Sequence, residues 1–196
     1  MAAKQGSGAY IAKLAVTLLA ICVVCAAVLG LVNSVTAPII EQTAYETTQA
    51  ALAEVLPDAT FEQVELTADQ ATYTIDGVSI PVTAAYIGTD ASGNVAGCVI
   101  ETAATGFAGA VDMVTGIKAD GTVNAISIVS SSETAGLGAN ASRPAFKDQF
   151  IGVNTPDTKV SKDGGTIDAL TGATITSRCV TRSVDAALTL AQDLLG

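Results

Sequence analysis

Near the C-terminus, Asp168-Ala169-Leu170-Thr171-Gly172-Ala173-Thr174-Ile175-Thr176-Ser177 sets four hydroxyl side chains around a Gly-Ala pair. Gly172 and Ala173 leave room for a bulky group to approach the backbone. Val180, Val184, Ala187, Leu188, Ala191 and Leu195 follow at helical spacings along one side, so the run leads into a helix beginning at about Thr176. Thr174, Thr176 and Ser177 then stand at the helix start, where N-caps belong. Unpaired N–H groups and the positive end of the helix dipole suit a phosphate there. These residues describe an anion site beside esterifiable hydroxyls, and equally an ordinary capped helix after a turn. No His or Lys is expected near Thr174 to activate it as a nucleophile, so an ester there would be made by another enzyme.

A second candidate is Ser132-Glu133-Thr134-Ala135-Gly136-Leu137-Gly138. Gly136 and Gly138 allow a tight turn that presents Leu137, either to a flat apolar ring or as a plug for the domain's own core. Glu133 is expected to hold the loop by accepting backbone hydrogen bonds.

The elements that position these segments read as an α+β domain. Strands are expected over residues 81–87 and 95–101, then over 110–117 and 123–129 around the turn Lys118-Ala119-Asp120-Gly121. A Gly-containing loop, residues 105–109, joins the two hairpins. Residues 60–76 carry one or two weaker strands, and residues 143–150 a short helix.

In front of this domain, residues 14–32 read LAVTLLAICVVCAAVLGLV, with no charge. At the helical rise this run spans about 28 Å, close to a bilayer core. Four parts follow: a cytoplasmic tail 1–13, a transmembrane helix 14–36, a helical connector 37–57 and a domain 58–196. Pro38 is expected to end or bend the membrane helix. The run is longer than the apolar core of a cleaved signal peptide, which is the competing reading.

All nineteen acidic residues lie at or after Glu41, whereas Lys4 and Lys13 precede it. The positive-inside rule places the N-terminus in the cytoplasm and the domain outside the cell membrane, as a single-pass protein. From Glu41 onward seven basic residues face nineteen acidic ones, a net of −12, which disfavours nucleic acid. The chain has no His, so the commonest general base and metal ligand is missing, and no metal or catalytic residue is assigned. Cys22 and Cys25 form a CxxC at membrane depth and are read as structural. Cys98 and Cys179 are a candidate disulfide in an oxidising compartment.

Asp168-Ala169-Leu170-Thr171-Gly172-Ala173-Thr174 resembles the flavinylation motif of FMN-binding domains, Asp-x-x-(Ser/Thr)-Gly-Ala-(Thr/Ser). In that family a flavin transferase uses FAD and Mg²⁺ to place FMN on the last hydroxyl residue, here Thr174. The 132–138 loop is similar to the Glu-Thr-Pro-Gly-Leu-Gly loop of two such families, with Ala135 in place of Pro. They are the G subunit of the Rnf ion-translocating ferredoxin:NAD⁺ oxidoreductase and the C subunit of the sodium-translocating NADH:quinone reductase. Gly106-Phe107-Ala108-Gly109 resembles their Gly-Tyr-Gly-Gly segment less closely. The short chain favours the Rnf subunit.

The resemblance implies one transmembrane helix followed by an extracytoplasmic α+β domain with covalent FMN. It implies cofactor contacts from Thr174, Asp168, Thr171, Gly172, Ala173, Thr176 and Ser177, and from Glu133, Thr134, Gly136, Leu137 and Gly138. It also implies an electron-transfer subunit, not catalytic on its own, in a complex that drives Na⁺ or H⁺ across the membrane. Other Rnf membrane and iron–sulfur subunits, a flavin transferase and membrane lipid are the implied partners. The alternatives are the quinone-reductase C subunit and an anchored binding domain without a redox role.

Overall fold

The computed structural model describes residues 6–196. Lys4 and the start of the expected tail 1–13 lie outside the described residues. The chain divides into two compact units, Met1–Glu46 and Thr47–Gly196.

Helix α1 runs over Gly6–Val55 with Pro38 inside it. Among the described residues, one helix is long and apolar enough to cross a membrane. Pro38 does not end it. A proline costs the helix the bond that its missing N–H would have made to Ser34, yet local side chains keep the neighbouring backbone engaged. The Thr36 hydroxyl donates to the Val32 carbonyl, and Thr43 Oγ1 donates to the Ile39 carbonyl at 2.8 Å. The helix continues through residues 37–55, and residues from Thr47 onward belong to the second unit. Ala51, Leu52, Val55 and Leu56 bury against Val99 and Val114.

The second unit is built on six antiparallel strands. These are β1 Thr60–Val64, β2 Thr72–Ile75, β3 Val78–Thr89, β4 Val95–Thr105, β5 Ala110–Lys118 and β6 Val123–Ser131. The order is β1-β3-β4-β5-β6, with β2 also on β3. All four expected strands are present and longer than their apolar cores, because ladder bonds continue into the polar ends. Asp76-Gly77, with φ of 51° and 76°, makes the two-residue turn between β2 and β3.

Side-chain alternation gives the sheet two buried faces. Cys98, Ile100, Met113, Ile117 and Ile126 meet Val180, Val184, Ala187 and Leu188 of helix α3, Thr174–Leu195. Val99 and Val114 point the other way, toward the last turns of α1. There the Asn124 amide donates to the Val55 carbonyl at 2.8 Å, and Glu54 takes Ser127 Oγ at 2.6 Å and Lys147 Nζ at 2.7 Å. Burial opposes ionisation of Glu54, but the bonds from Lys147 and Ser127 outweigh it and hold the carboxyl below its ordinary value. The short helix expected over 143–150 is α2, Pro144–Lys147, followed by a 3-10 turn, Asp148–Phe150.

Cys98 and Cys179 are both free and buried, so the candidate disulfide is not formed. Burial pushes each thiol up to about 12.

Candidate functional site

The β4–β5 turn and the end of β6 lie at one end of the sheet, because Val111 pairs with Ser131 and Ala104. The 105–109 turn and the 132–138 loop are therefore neighbours. Glu133 ties them together. Its Oε1 accepts the N–H of Phe107 at 2.6 Å and of Ala108 at 3.2 Å. Its Oε2 accepts the Thr176 hydroxyl at 3.0 Å. The carboxylate thus accepts backbone hydrogen bonds as expected, but from the neighbouring loop, and it joins both loops to the first turn of α3. Gly106 and Gly138 make room for it, since a Cβ at either would collide with a Glu133 carboxylate oxygen.

The turn before α3 is fixed from inside. Gly172 has φ of +76°, a region that favours glycine, and the Ala173 N–H donates to the Leu170 carbonyl at 3.0 Å. Ser177 Oγ accepts the Leu170 N–H at 2.9 Å and donates to the Ala173 carbonyl at 3.0 Å. Ser177 is fully buried and lies behind the site rather than in it.

The residue at the N-cap is Ala173, and no side chain caps the helix. The expected capping by Thr174, Thr176 or Ser177 fails because each hydroxyl sits past the cap and has another partner. Thr176 turns to Glu133 and Ser177 to Leu170, while Thr174, half-buried, is bonded to Lys162. The first N–H groups of α3 therefore lack intrahelical acceptors.

Thr174 Oγ1 accepts a hydrogen bond from Lys162 Nζ at 3.1 Å. This overturns the expectation that no Lys stands near Thr174. Lys162 belongs to a 3-10 turn, Ser161–Asp163, that is held against α3 by Arg178. Arg178 Nε and Nη2 each reach Asp163 at 2.6 Å, which keeps the Asp163 carboxyl below its ordinary value. Lys162 is a donor here, not a base, so activation of the hydroxyl from outside remains the expectation.

These groups line a cleft of about 300 Å³ formed by Phe107, Glu133, Thr134, Leu137, Gly138, Lys162 and residues 172–176. Three apolar side chains stand at it with much of their surface exposed: Phe107 at 72%, Ile175 at 49% and Leu137 at 44%. A second cleft, of about 610 Å³, holds Gly136, Asp168 and Thr171 along with Arg143 and Gln149. Leu137 lines both clefts. Gln149 anchors the motif's start by accepting the Asp168 N–H at 2.6 Å. Lys162, Phe107 and Ile175 were not among the expected contacts. Only the glycines around Phe107 marked any of the three in the sequence.

The arrangement is thus an antiparallel sheet covered by one helix, with a lysine-bonded hydroxyl at the start of that helix and exposed apolar side chains around it. Residues 106–189 match the family model described as the FMN-binding domain, and residues 2–55 match the RnfG N-terminal region. The chain belongs to the family of G subunits of Rnf-type ion-translocating oxidoreductase complexes. It is 36% identical to the G subunit of the ion-translocating oxidoreductase complex of Methanosarcina acetivorans, over 91% of this chain and 93% of that protein. It is 39% identical to the G subunit of the Na(+)-translocating ferredoxin:NAD(+) oxidoreductase complex of Acetobacterium woodii, over 93% of this chain and 92% of that one. The crystal structure of Shewanella oneidensis NqrC shares the fold, with a TM-score of 0.52 and 15% identity over 70% of this chain and 84% of that one.

Proposed function

We propose that this chain is an electron-transfer subunit of a membrane ferredoxin:NAD⁺ oxidoreductase, carrying FMN through a phosphodiester on Thr174. The observation that carries this reading is the half-buried Thr174 hydroxyl, bonded to a lysine in a cleft shared with exposed Phe107, Leu137 and Ile175.

The residues present fit such a group. Gly172 keeps the backbone low beside Thr174, where even a Cβ would stand 3.1 Å from Leu137 Cδ2. The unpaired N–H groups at the start of α3 suit a phosphate. Leu137, Phe107 and Ile175 supply apolar cover that limits water at a flat ring. Glu133, by tying the two loops to Thr176, holds that cover in place. Asp168, Thr171 and Gly136 line the adjoining cleft. When bound, FMN supplies a ring able to take up and return one electron at a time.

Attachment needs a second protein. Thr174 Oγ would hold the FMN phosphorus, with FAD as donor, AMP as the leaving group and the hydroxyl proton taken by the flavin transferase. In the cleft the Glu133 carboxylate already accepts three hydrogen bonds, so it is not free to act as that base. The domain lies outside the cytoplasm in this reading, where a tethered flavin is not lost. Other subunits of the complex and membrane lipid are its partners.

The test is the intact mass of the full chain purified from membranes, with peptide mapping around Thr174. The expected result is one FMN on wild type and none on Thr174→Ala. Covalent flavin retained on Thr174→Ala would sink the assignment.

A further inference from the structure

We propose that Lys162 is the counter-charge of the phosphodiester on Thr174, and that the Asp163–Arg178 pair sets its reach. This rests on the reading of Thr174 as the attachment residue.

The basic residues that form ion pairs in the second unit have carboxylate partners: Lys147 with Glu54, Lys159 with Asp157, Arg178 with Asp163 and Arg182 with Asp76. Lys118, Arg143 and Lys162 form no such pair, and of these three Lys162 is the one whose side chain is bonded to a hydroxyl. Nineteen acidic residues lie from Glu41 onward, yet its ammonium is bonded to the Thr174 hydroxyl. Among the described residues it is in no ion pair. A lysine held at a neutral oxygen is placed for a charge that arrives there later. Conversion of the hydroxyl to a phosphodiester adds one negative charge next to that oxygen, within reach of the three N–H donors of the ammonium.

The placement is enforced. Lys162 and Asp163 share one 3-10 turn, and Arg178 stands four residues into α3 from Thr174. The fork of Arg178 on Asp163 therefore clips the Lys162 backbone to the same helix that bears the modified residue. Lys162 itself is exposed, so its side chain holds up no core. It acts as a positioning residue, drawing the phosphoryl group to Thr174 and neutralising the diester once formed.

The experiment is flavinylation of the full chain in detergent by purified flavin transferase with FAD and Mg²⁺, followed by intact mass. Lys162→Met should lower kcat about tenfold, the effect of losing one charge-assisted hydrogen bond in the transition state. KM for the acceptor protein should hardly change. Lys162→Arg should restore the rate to within about twofold, because the charge returns. Asp163→Asn should fall between. Added salt should slow wild type and not Lys162→Met. Flavin-free melts should coincide for wild type and Lys162→Met. Equal rates for the two overturn the proposal. So does a loss confined to KM, or one that Lys162→Arg does not repair. A wild type that takes up no flavin, or a Thr174→Ala that does, fails the underlying reading instead.

Discussion

Glu133 and Thr176 are bonded at 3.0 Å across 43 residues of chain, and the same carboxylate holds the N–H groups of Phe107 and Ala108. One side chain thereby sets the spacing of three segments that share no local sequence. Glu133→Gln can keep its carbonyl oxygen on the Phe107 and Ala108 N–H groups, with its amide facing the Thr176 hydroxyl, but loses the charge that strengthens these bonds. Glu133→Ala should cost about 2 kcal/mol or more, the scale of hydrogen bonds to a charged group. Amide exchange at Phe107 and Ala108 should quicken in both variants. Unchanged exchange there would mean that the turn at 105–109 holds itself.

Leu137 tests the apolar cover. It is 44% exposed and lies in no buried cluster, which speaks against the alternative that it plugs the core. Leu137→Ala should therefore change stability by under about 1 kcal/mol, as for a surface truncation. FMN should still attach at Thr174. The flavin's visible spectrum and midpoint potential should move, because water gains access to the ring. A redox titration of fully loaded wild type and variant decides this; a large loss of stability with an unmoved potential would assign Leu137 to the core.

Orientation can be read from the β5–β6 turn. Asp120 is exposed there, its carboxylate bonded to the Thr122 N–H at 2.9 Å and hydroxyl at 2.6 Å. Asp120→Cys should react with an impermeant maleimide on intact cells. Background from Cys98 and Cys179 should be low, since both are buried. Labelling only after lysis would place the flavin domain in the cytoplasm.

Much of the sheet was legible because alternation and turn residues are local signals. Residues 110–117 and 123–129 could be placed around Asp120-Gly121 without any long-range information. The membrane helix was legible as an uncharged run and residues 37–57 as helical, but that a single helix runs through Pro38 was not. A proline's local cost says nothing about the packing of Leu52 and Val55 that rewards helix further on. The hydroxyl motif pointed to Thr174, yet not to its partner. Lys162 is twelve residues away and meets Thr174 only because Arg178 grips Asp163, a contact with no periodicity to betray it. Hydroxyls read as caps proved to be cross-links, since Thr176 and Ser177 bond to other segments.

Asp185 gives the stability of the domain a pH signature. It is buried on α3 and accepts the Thr158 N–H at 2.8 Å. Burial raises its carboxyl from 3.8 to about 6, the Thr158 bond opposing and the charges of Asp157 and Asp76 adding. The folded state thus holds this proton more tightly than the unfolded chain. The contribution favours folding at low pH and is lost as pH rises through about 4 to 6. Asp185→Asn keeps an acceptor and cannot ionise. Its stability relative to wild type should therefore improve by about 2–3 kcal/mol between pH 4 and pH 7. Denaturant melts of the full chain at both pH values check this, and a difference that does not vary with pH refutes it.

The two sealed thiols make the folded domain its own clock. Cys98 lies on a central strand opposite Ile117, and Cys179 lies on the helix that covers that face. With both thiols buried and pushed up to about 12, neither reacts at neutral pH until the structure around it opens. The alkylation rate of each then reports the frequency of that opening. Equal rates mean that sheet and helix part in one event, while a faster Cys179 means that α3 lifts first and carries Thr174 with it.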